Sequence, residues 1–147
     1  GVANDPKEAI TWYRKAADKG LASAQSRLGW LLHKGSQDEA GMKSALDWLT
    51  RAAEAGDVDV REALVRAAGY LGIGVANVIV ALHPDLIVLG GSVAQIGPLL
   101  FDTVRATVQR RVGMFPPDNV RIEPSRLGNQ AGLLGGIALA MRGDVGT

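Results

Sequence analysis

Two segments of the sequence repeat at a fixed offset, and this repeat limits the possible folds more than any other feature. The segments are AITWYRKAADKG at residues 9–20 and ALDWLTRAAEAG at residues 45–56, which start 36 positions apart. The identical pairs are Ala9/Ala45, Trp12/Trp48, Ala16/Ala52, Ala17/Ala53 and Gly20/Gly56. Because Ala, Trp and Ala recur at i, i+3 and i+7, they mark one face of a helix. A fixed period of this size predicts stacked helical hairpins.

The ends of the predicted helices carry residues that helices prefer there. Asp5, as an N-cap, and Pro6, in the first turn, start the first helix. Gly20 and Gly56 stand where a helix ends in a left-handed C-cap. The segment ASAQSRLGWLLHKG at residues 22–35 is predicted to be the antiparallel partner helix, capped by its last glycine.

The first 56 residues resemble the SEL-one-like repeats, a branch of the tetratricopeptide-like solenoids. The matching positions are Ala9, Trp12, Lys15, Ala16, Ala17, Gly20, Ala24, Leu28 and Gly29. The resemblance implies a protein-interaction scaffold, with residues 1–55 as its helical repeat segment. We expect Trp12 and Trp48 to be core residues. A solenoid needs about three repeats to bury its faces, whereas this chain has about one and a half, so we expect an incomplete scaffold.

Composition narrows the classes of partner and compartment. Sixteen Lys and Arg against fifteen Asp and Glu give a net charge of +1, so no nucleic-acid partner is predicted. The chain has no Cys, which excludes disulfides and fits a reducing compartment, so we expect a cytoplasmic protein. No apolar run approaches a membrane span, because Gly, His or charge interrupts each one. No membrane partner is therefore predicted.

The character of the sequence changes after Gly56. Residues 60–83 predict a long helix that is apolar on all sides towards its end and therefore buried on most faces. Gly69, Gly72 and Gly74 would weaken an isolated helix, so we expect them to allow close packing against a sheet.

The rest of the chain alternates strands and helices. Residues 85–91 (DLIVLGG) predict a short strand that is apolar on both faces, as in the middle of an α/β sheet. The segment 97–113 predicts an amphipathic helix with Leu100, Val104, Val108 and Val112 on one stripe. Residues 119–128 predict a second strand with its exit loop, and residues 129–143 a helix rich in small residues. The predicted order is α-β-α-β-α, which makes the whole chain a helix-rich α/β protein.

The second part of the chain resembles the C-terminal end of the ROK family of bacterial sugar kinases and sugar-responsive repressors. The matching residues are Gly56, Asp57, Tyr70, Leu71, Gly72, Ile73, Gly74, Ala76, Asn77, 83–91, Leu127, Gly128 and 131–135. The resemblance covers about residues 56–143. We therefore predict that residues 56–147 form one ROK-like C-terminal α/β segment. The resemblance implies a half-lobe of the actin-like ATPase fold. Ser92, Asn129 and Gln130 depart from the family pattern.

The resemblance gives one candidate binding site. In the family, the loop after the first of these strands lies against the adenosine of ATP. The corresponding residues are Gly90, Gly91 and Ser92, where glycine would let the backbone approach a ligand and the serine could add a hydroxyl. The alternative is that the two glycines only turn the chain after the strand.

The resemblance also implies parts of a kinase that have no counterpart in the sequence. Phosphoryl transfer needs a phosphate-binding loop, a magnesium site and a carboxylate that takes the hydroxyl proton. The family supplies a D-x-G-x-T-type loop, an acidic residue beside an Asn and a Cys/His zinc cluster. The remaining candidates are Asp57, Asp59, Asp85 and Asp102, which no spacing pairs for acid–base work, so capping or solvated roles are expected. We therefore predict no catalytic residue, no metal site and no cofactor beyond weak ATP binding.

The junction satisfies both resemblances, because residues 47–64 can end a repeat and begin the ROK-like part. This favours a chimera or a fragment of two families. The predicted function is a noncatalytic protein that self-associates or binds a protein partner; the alternative is a fragment of an ATP-dependent, glucokinase-like sugar kinase. A repressor remnant ranks lower, because no helix-turn-helix is evident.

A symmetric dimer is predicted from surfaces that the sequence leaves incomplete. Strands at residues 86–89 and 120–124 would form a sheet with unpaired edges. A truncated repeat would leave a helical face open around Trp12 or Trp48, and a two-fold interface closes both faces at once. The competing solution is cover within the chain by a helix at residues 39–55.

Overall fold

The computed structural model describes residues 5–113 and 120–127. Its elements are α1 (Pro6–Ala17), α2 (Ala22–Gly35), α3 (Glu39–Glu54), α4 (Val58–Leu82), β1 (Leu86–Leu89), a 3-10 turn (Ser92–Ile96), α5 (Pro98–Arg111) and β2 (Arg121–Pro124). The described chain is helix-rich with a small parallel sheet. The predicted α-β-α-β-α order is observed up to its second strand, and the predicted helix at residues 129–143 lies outside the described residues.

The two repeat segments end in the same backbone motif. After α1, the Gly20 amide donates to the Ala17 carbonyl at 2.9 Å and the Leu21 amide to the Ala16 carbonyl at 3.4 Å. After α3, the amides of Gly56 and Asp57 make the equivalent bonds to Ala53 and Ala52, at 3.3 and 2.9 Å. Both glycines have positive φ, +83° and +99°. These are Schellman motifs, so the predicted glycine caps are confirmed.

The start of α1 is also capped as predicted, but the end of α2 differs from the prediction. Asp5 caps α1 by accepting a hydrogen bond from the Lys7 amide at 2.9 Å, as expected. Gly35, however, is the last helical residue of α2 and has no positive φ. The chain leaves α2 through Ser36 in an extended conformation, because it must reach the Asp38 N-cap of α3.

Helices α2 and α3 approach closely at one small residue. A Cβ on Gly29 would lie 2.7 Å from Leu49 Cγ and 3.1 Å from the Ala45 carbonyl oxygen. Real Cβ atoms are essentially never found closer than 3.0 Å, so glycine permits this spacing. A small core beside this contact consists of Ala17, Ala24 and Leu28, with Ile10, Ala16, Leu32 and Trp48 packed against it.

The two repeated tryptophans are not equivalent in burial. Trp12 is 64% exposed, so its prediction as a core residue is wrong, whereas Trp48 is half-buried against the small core. Each ring carries a cation from the position three residues later: Lys15 Nζ lies 5.1 Å from the Trp12 ring and Arg51 Cζ lies 4.9 Å from the Trp48 ring. The retained positive charge in both copies therefore corresponds to a cation–π contact.

The main core lies between α4 and α5, with contributions from α3, the 3-10 turn and β2. The predicted stripe on α5 is confirmed, because Leu100, Val104, Val108 and Val112 are all buried. Truncating one of these side chains to Ala would typically cost about 2–5 kcal/mol. Helix α3 joins this core through Ala52 and Ala53.

Helix α4 is buried on one side rather than on most faces as predicted. Gly72 packs against α5, where an added Cβ would lie 2.7 Å from Thr107 Cβ, whereas an added Cβ on Gly69 or Gly74 would meet no atom of the described residues within 4 Å. The expected packing of these glycines against a sheet is therefore wrong, since the close contact of Gly72 is with a helix. Tyr70 and Leu82 are strongly exposed among the described residues.

The sheet consists of β1 and β2, paired in parallel with Leu86 opposite Arg121 and Leu89 opposite Pro124. Ile87 and Leu89 pack against the main core, which also contains Ile122. Leu86 and Val88 are exposed in the described part of the chain, so β1 is covered on one face and not on both as expected.

Helix α4 is long and apolar enough to cross a membrane, contrary to the sequence expectation. It has 25 residues and an 18-residue window with a mean hydropathy of 1.7, of which 33% is buried. Length and composition alone give α4 this property, and the core helices of soluble proteins often share it. In this fold, α4 packs against α3 and α5.

The contact between α4 and α5 predicts opposite effects for two glycines of the same helix. Ala instead of Gly stabilises a helix interior by up to about 1 kcal/mol, but overpacking costs about 1–3 kcal/mol. We expect Gly72→Ala to lose stability through its clash with Thr107. We expect Gly74→Ala, the matched control, to be neutral or stabilising. Urea unfolding measures the difference, and equal stabilities of the two variants would contradict the close contact.

Candidate functional site

The three predicted site residues lie at the carboxyl edge of the sheet. Leu89 and Pro124 form the last pair of the parallel register. The Ser125 amide donates to the Leu89 carbonyl at 2.8 Å and extends the pairing into the loops. In open parallel sheets, ligands bind beyond the carboxyl ends of the strands. We refer to Gly90, Gly91 and Ser92 at this edge as the carboxyl-edge turn.

The shape of the carboxyl-edge turn is fixed by glycine conformation. Gly91 has φ +79° and ψ −175°, a region that is essentially restricted to glycine. Gly97, at the other end of the 3-10 turn, has φ +74°. Between them, Ile96 is buried in the main core and attaches the loop to the body of the protein.

The backbone of the turn is accessible. Gly90 and Gly91 are exposed and Ser92 is half-buried. A Cβ on Gly90 would lie 3.5 Å from Ser125 Cβ, an ordinary contact. Approach of the backbone to a ligand, as the resemblance implies, is therefore sterically possible. Contact of these residues with adenosine stays a prediction.

The candidate carboxylates lie on different elements. Asp57 caps α4 by accepting from the Val60 amide at 3.1 Å, and Asp102 pairs with Arg105 at 3.5 Å on α5. Asp85 precedes β1, and its carbonyl oxygen accepts from the Arg121 amide at the amino edge. A four-residue strand is about 13 Å long, so Asp85 lies one strand length from the carboxyl-edge turn. Asp59 is exposed in the first turn of α4.

One cavity beside the 3-10 turn contains charged residues that the sequence did not indicate. It has a volume of about 320 Å³ and lies where α3, α4 and α5 meet this turn. Glu54, Arg61 and Asp102 line it, together with Thr50, Ala53, Ile96, Pro98 and Leu99. These charged residues come from three helices, so no local spacing in the sequence marks them. The lining of this cavity does not include the carboxyl-edge turn.

Two family models match the chain. The model described as ROK family matches residues 12–142, and the model described as Sel1 repeat matches residues 1–21. The ROK match thus begins well before the predicted start at residue 56 and overlaps the repeat match. The interpretation of the chain as a chimera is not confirmed.

The relatives of the chain include proteins named as a repressor and as a kinase. The chain is 28% identical over 131 residues to a xylose repressor of Caldicellulosiruptor bescii, covering 86% of this chain and 32% of the repressor. It is 33% identical over 109 residues to a glucokinase of Halalkalibacterium halodurans, covering 71% of this chain and 33% of the glucokinase. The chain therefore spans about a third of the length of these relatives.

The fold is similar to that of a solved sugar kinase. A ROK family glucokinase from Streptomyces griseus, solved in complex with glucose and AMPPNP, superposes with a TM-score of 0.57 at 22% sequence identity. The match covers 80% of this chain and 41% of the glucokinase. The described architecture is thus a partial version of the fold of that kinase.

The backbone conformation of the carboxyl-edge turn predicts that its two glycines tolerate substitution by alanine to different degrees. Gly91→Ala would place a side chain in a region that costs about 1–3 kcal/mol, so we expect it to lower the free energy of unfolding by that amount. Gly90→Ala is the control, because Gly90 has no positive φ and its added Cβ meets only an ordinary contact. Chemical unfolding of both variants tests this, and a Gly91→Ala variant as stable as Gly90→Ala would show that the turn has another conformation.

Proposed function

Because the chain belongs to the ROK family, we propose that it is a noncatalytic segment of a ROK lobe that acts by binding protein, either a second copy of itself or another partner. Its carboxyl-edge turn retains a contact surface for adenosine. Protein binding needs an exposed surface, whereas contact with adenosine at the carboxyl-edge turn needs only accessible backbone.

The observation that carries this proposal is that the same segment matches relatives with different activities. One relative is named a xylose repressor and another a glucokinase. The two matches cover 86% and 71% of this chain, respectively. A segment common to a repressor and a kinase does not by itself specify either activity. The shared property is then the architecture of the lobe, which supports a structural and binding role.

The local chemistry of the turn supports the same proposal. The carboxyl-edge turn offers backbone groups and one hydroxyl, which can contact a nucleoside but do not neutralise phosphate charge. Phosphoryl transfer depends on charge stabilisation and positioning. Asp57 and Asp102 already serve as a helix cap and an ion-pair partner.

A second candidate function is that of one part of an ATP-dependent sugar kinase. The similarity to a glucokinase solved with glucose and AMPPNP favours it at the level of the fold. In that case the chain supplies the adenosine side of the site, and the phosphate-binding groups come from elsewhere. The repressor relatives do not change the expectation of no nucleic-acid partner, since the net charge of +1 provides no general basic field.

We expect this chain alone not to phosphorylate sugars. A coupled assay of ADP release with glucose, N-acetylglucosamine and N-acetylmannosamine measures this directly. The control is the Gly90→Val variant, whose larger side chain would crowd Ser125 and the approach to the turn. Turnover well above that of denatured protein, and lost in Gly90→Val, would refute the noncatalytic proposal.

We expect ATP to bind with a dissociation constant in the millimolar range. A contact with adenosine alone supplies only part of the usual binding free energy, and about 4 kcal/mol corresponds to about 1 mM. Titration calorimetry with ATP and with adenosine should give similar affinities, because the triphosphate adds little. A low-micromolar constant for ATP, absent for adenosine, would instead indicate a phosphate site and favour the kinase candidate.

A further inference from the structure

Two adjacent cavities form one continuous surface along α2. The first has a volume of about 480 Å³ and lies between α2, α3 and the start of α4, and the second, of about 410 Å³, lies between α1 and the end of α2. Arg27 and Trp30 line both. We call the lining of these two cavities the Trp30 surface. We propose that a second copy of the chain binds at the Trp30 surface about a two-fold axis, with α2 antiparallel to α2 of the partner. This inference rests on the proposed protein-binding function and specifies the partner.

The Trp30 surface has an acidic end and a basic end. The cavity at the start of α2 includes both Asp57 and Asp59. The cavity at the end of α2 is lined by Lys34 and His33 and contains no carboxylate among its described lining residues. With a rise of 1.5 Å per residue, the positions from 23 to 34 on α2 span about 16 Å. The two charged ends are therefore separated along the axis of the helix.

The charged groups of this surface are available to a partner. Within residues 5–113 and 120–127, none of Arg27, Lys34 and Asp59 forms an ion pair. Arg27 and Lys34 are exposed, and so is Asp59. Asp57 accepts one hydrogen bond as the α4 cap and forms no ion pair within the described residues.

The arrangement of charge selects a second copy as the occupant. In a two-fold interface the same patch occurs on both subunits, so residue i of one copy meets residue j of the other and the reverse. A patch with one acidic and one basic end is complementary to itself only when the two copies are antiparallel. Each basic end then faces an acidic end, and complementary potentials favour and orient such an encounter. A purely acidic or purely basic surface would repel its own copy.

The centre of the surface is apolar and aromatic, as an interface centre requires. Trp30 is 55% exposed, and its ring contacts His33 edge-on with a centroid distance of 6.0 Å. Leu49, Val60 and Leu64 line the adjoining cavity. Exposed tryptophans at the centre of an interface commonly contribute a large share of the binding energy. In the two-fold arrangement, Trp30 lies near the axis and meets the apolar lining of the partner.

This assignment differs from the surfaces that the sequence suggested for a dimer. Trp48 is half-buried against the small core, and it does not line the Trp30 surface. Trp12 is exposed but carries Lys15 over its ring, and neither residue lines the Trp30 surface. The sheet edges do not combine an exposed tryptophan with separated charges, whereas the Trp30 surface does.

Sedimentation equilibrium over about 1–200 µM protein tests the proposal with charge reversals. Lys34→Glu and Asp59→Lys should each weaken the dimer at least about tenfold, because each places two like-charged pairs in the interface. The double variant Lys34→Glu with Asp59→Lys should recover the affinity to within about threefold, because it restores opposite charges. Trp30→Ala should weaken the dimer about thirtyfold or more. Circular dichroism of each variant confirms that it is folded.

Two matched control variants test whether the loss of dimer affinity is specific to the Trp30 surface. Trp12→Ala removes a tryptophan that is more exposed than Trp30, and Lys43→Glu reverses an exposed charge on α3 outside the Trp30 surface. Neither should change the dimer affinity. A monomer throughout the concentration range, a dimer insensitive to Trp30→Ala, or single reversals that the double variant does not rescue would each overturn the proposal. These outcomes leave the phosphorylation assay unaffected, so the two proposals fail independently.

Discussion

The described fold depends on how closely α4 approaches α5. Gly72 on α4 lies directly against Thr107 on α5, and Ala68 and Ala76 extend the same buried side of the helix. Small residues on α4 leave room for the larger side chains of α5, among them Leu100 and Val104, to fill the space between the helices. Because α5 is the crossover between two parallel strands, its position on α4 also positions the sheet.

The sheet is attached to this helix pair through β2. Ile122 is buried in the main core, and the Arg105 guanidinium on α5 donates a hydrogen bond to the Ile122 carbonyl at 2.9 Å. Register then places Leu89 at the carboxyl end of β1, next to the loop of Ser125. The accessible backbone of the carboxyl-edge turn is therefore a consequence of helix packing some distance away.

Much of the local structure could be predicted because it depends on residues that are close in sequence. The caps at Asp5, Gly20 and Gly56 satisfy backbone groups within one turn, and the period of α5 identifies its buried stripe without any knowledge of the partner. Burial could not be predicted in the same way. Trp12 and the outer face of β1 are apolar and yet exposed, because exposure depends on which element covers a face. The cavity at Glu54, Arg61 and Asp102 was missed for the same reason.

The junction between the two resemblances shows why the sequence could not locate a boundary. Ala52 and Ala53 end α3 and lie in the main core, Gly56 closes the helix, and Asp57 caps the next one. A helical repeat and a ROK lobe both require small buried residues, a glycine cap and an N-cap in this order. One stretch of chain can satisfy both patterns because both describe the same connection between two packed helices. The two family matches themselves overlap at residues 12–21, in α1 and the turn after it, so they do not mark this connection as a boundary either.

Binding at the carboxyl-edge turn and assembly through the Trp30 surface are physically separable. The turn offers backbone groups without charge, so contact there depends on shape and responds weakly to salt. The Trp30 surface combines an apolar centre with separated charges, so the orientation of a partner there depends on electrostatics. Its lining comes from α1, α2, α3, the start of α4 and the α3–α4 connection, and includes no residue of β1, the 3-10 turn or β2. A second copy could therefore bind at one site without using the residues of the other, and a substitution at Gly91 should change the turn without changing the charges that orient the dimer.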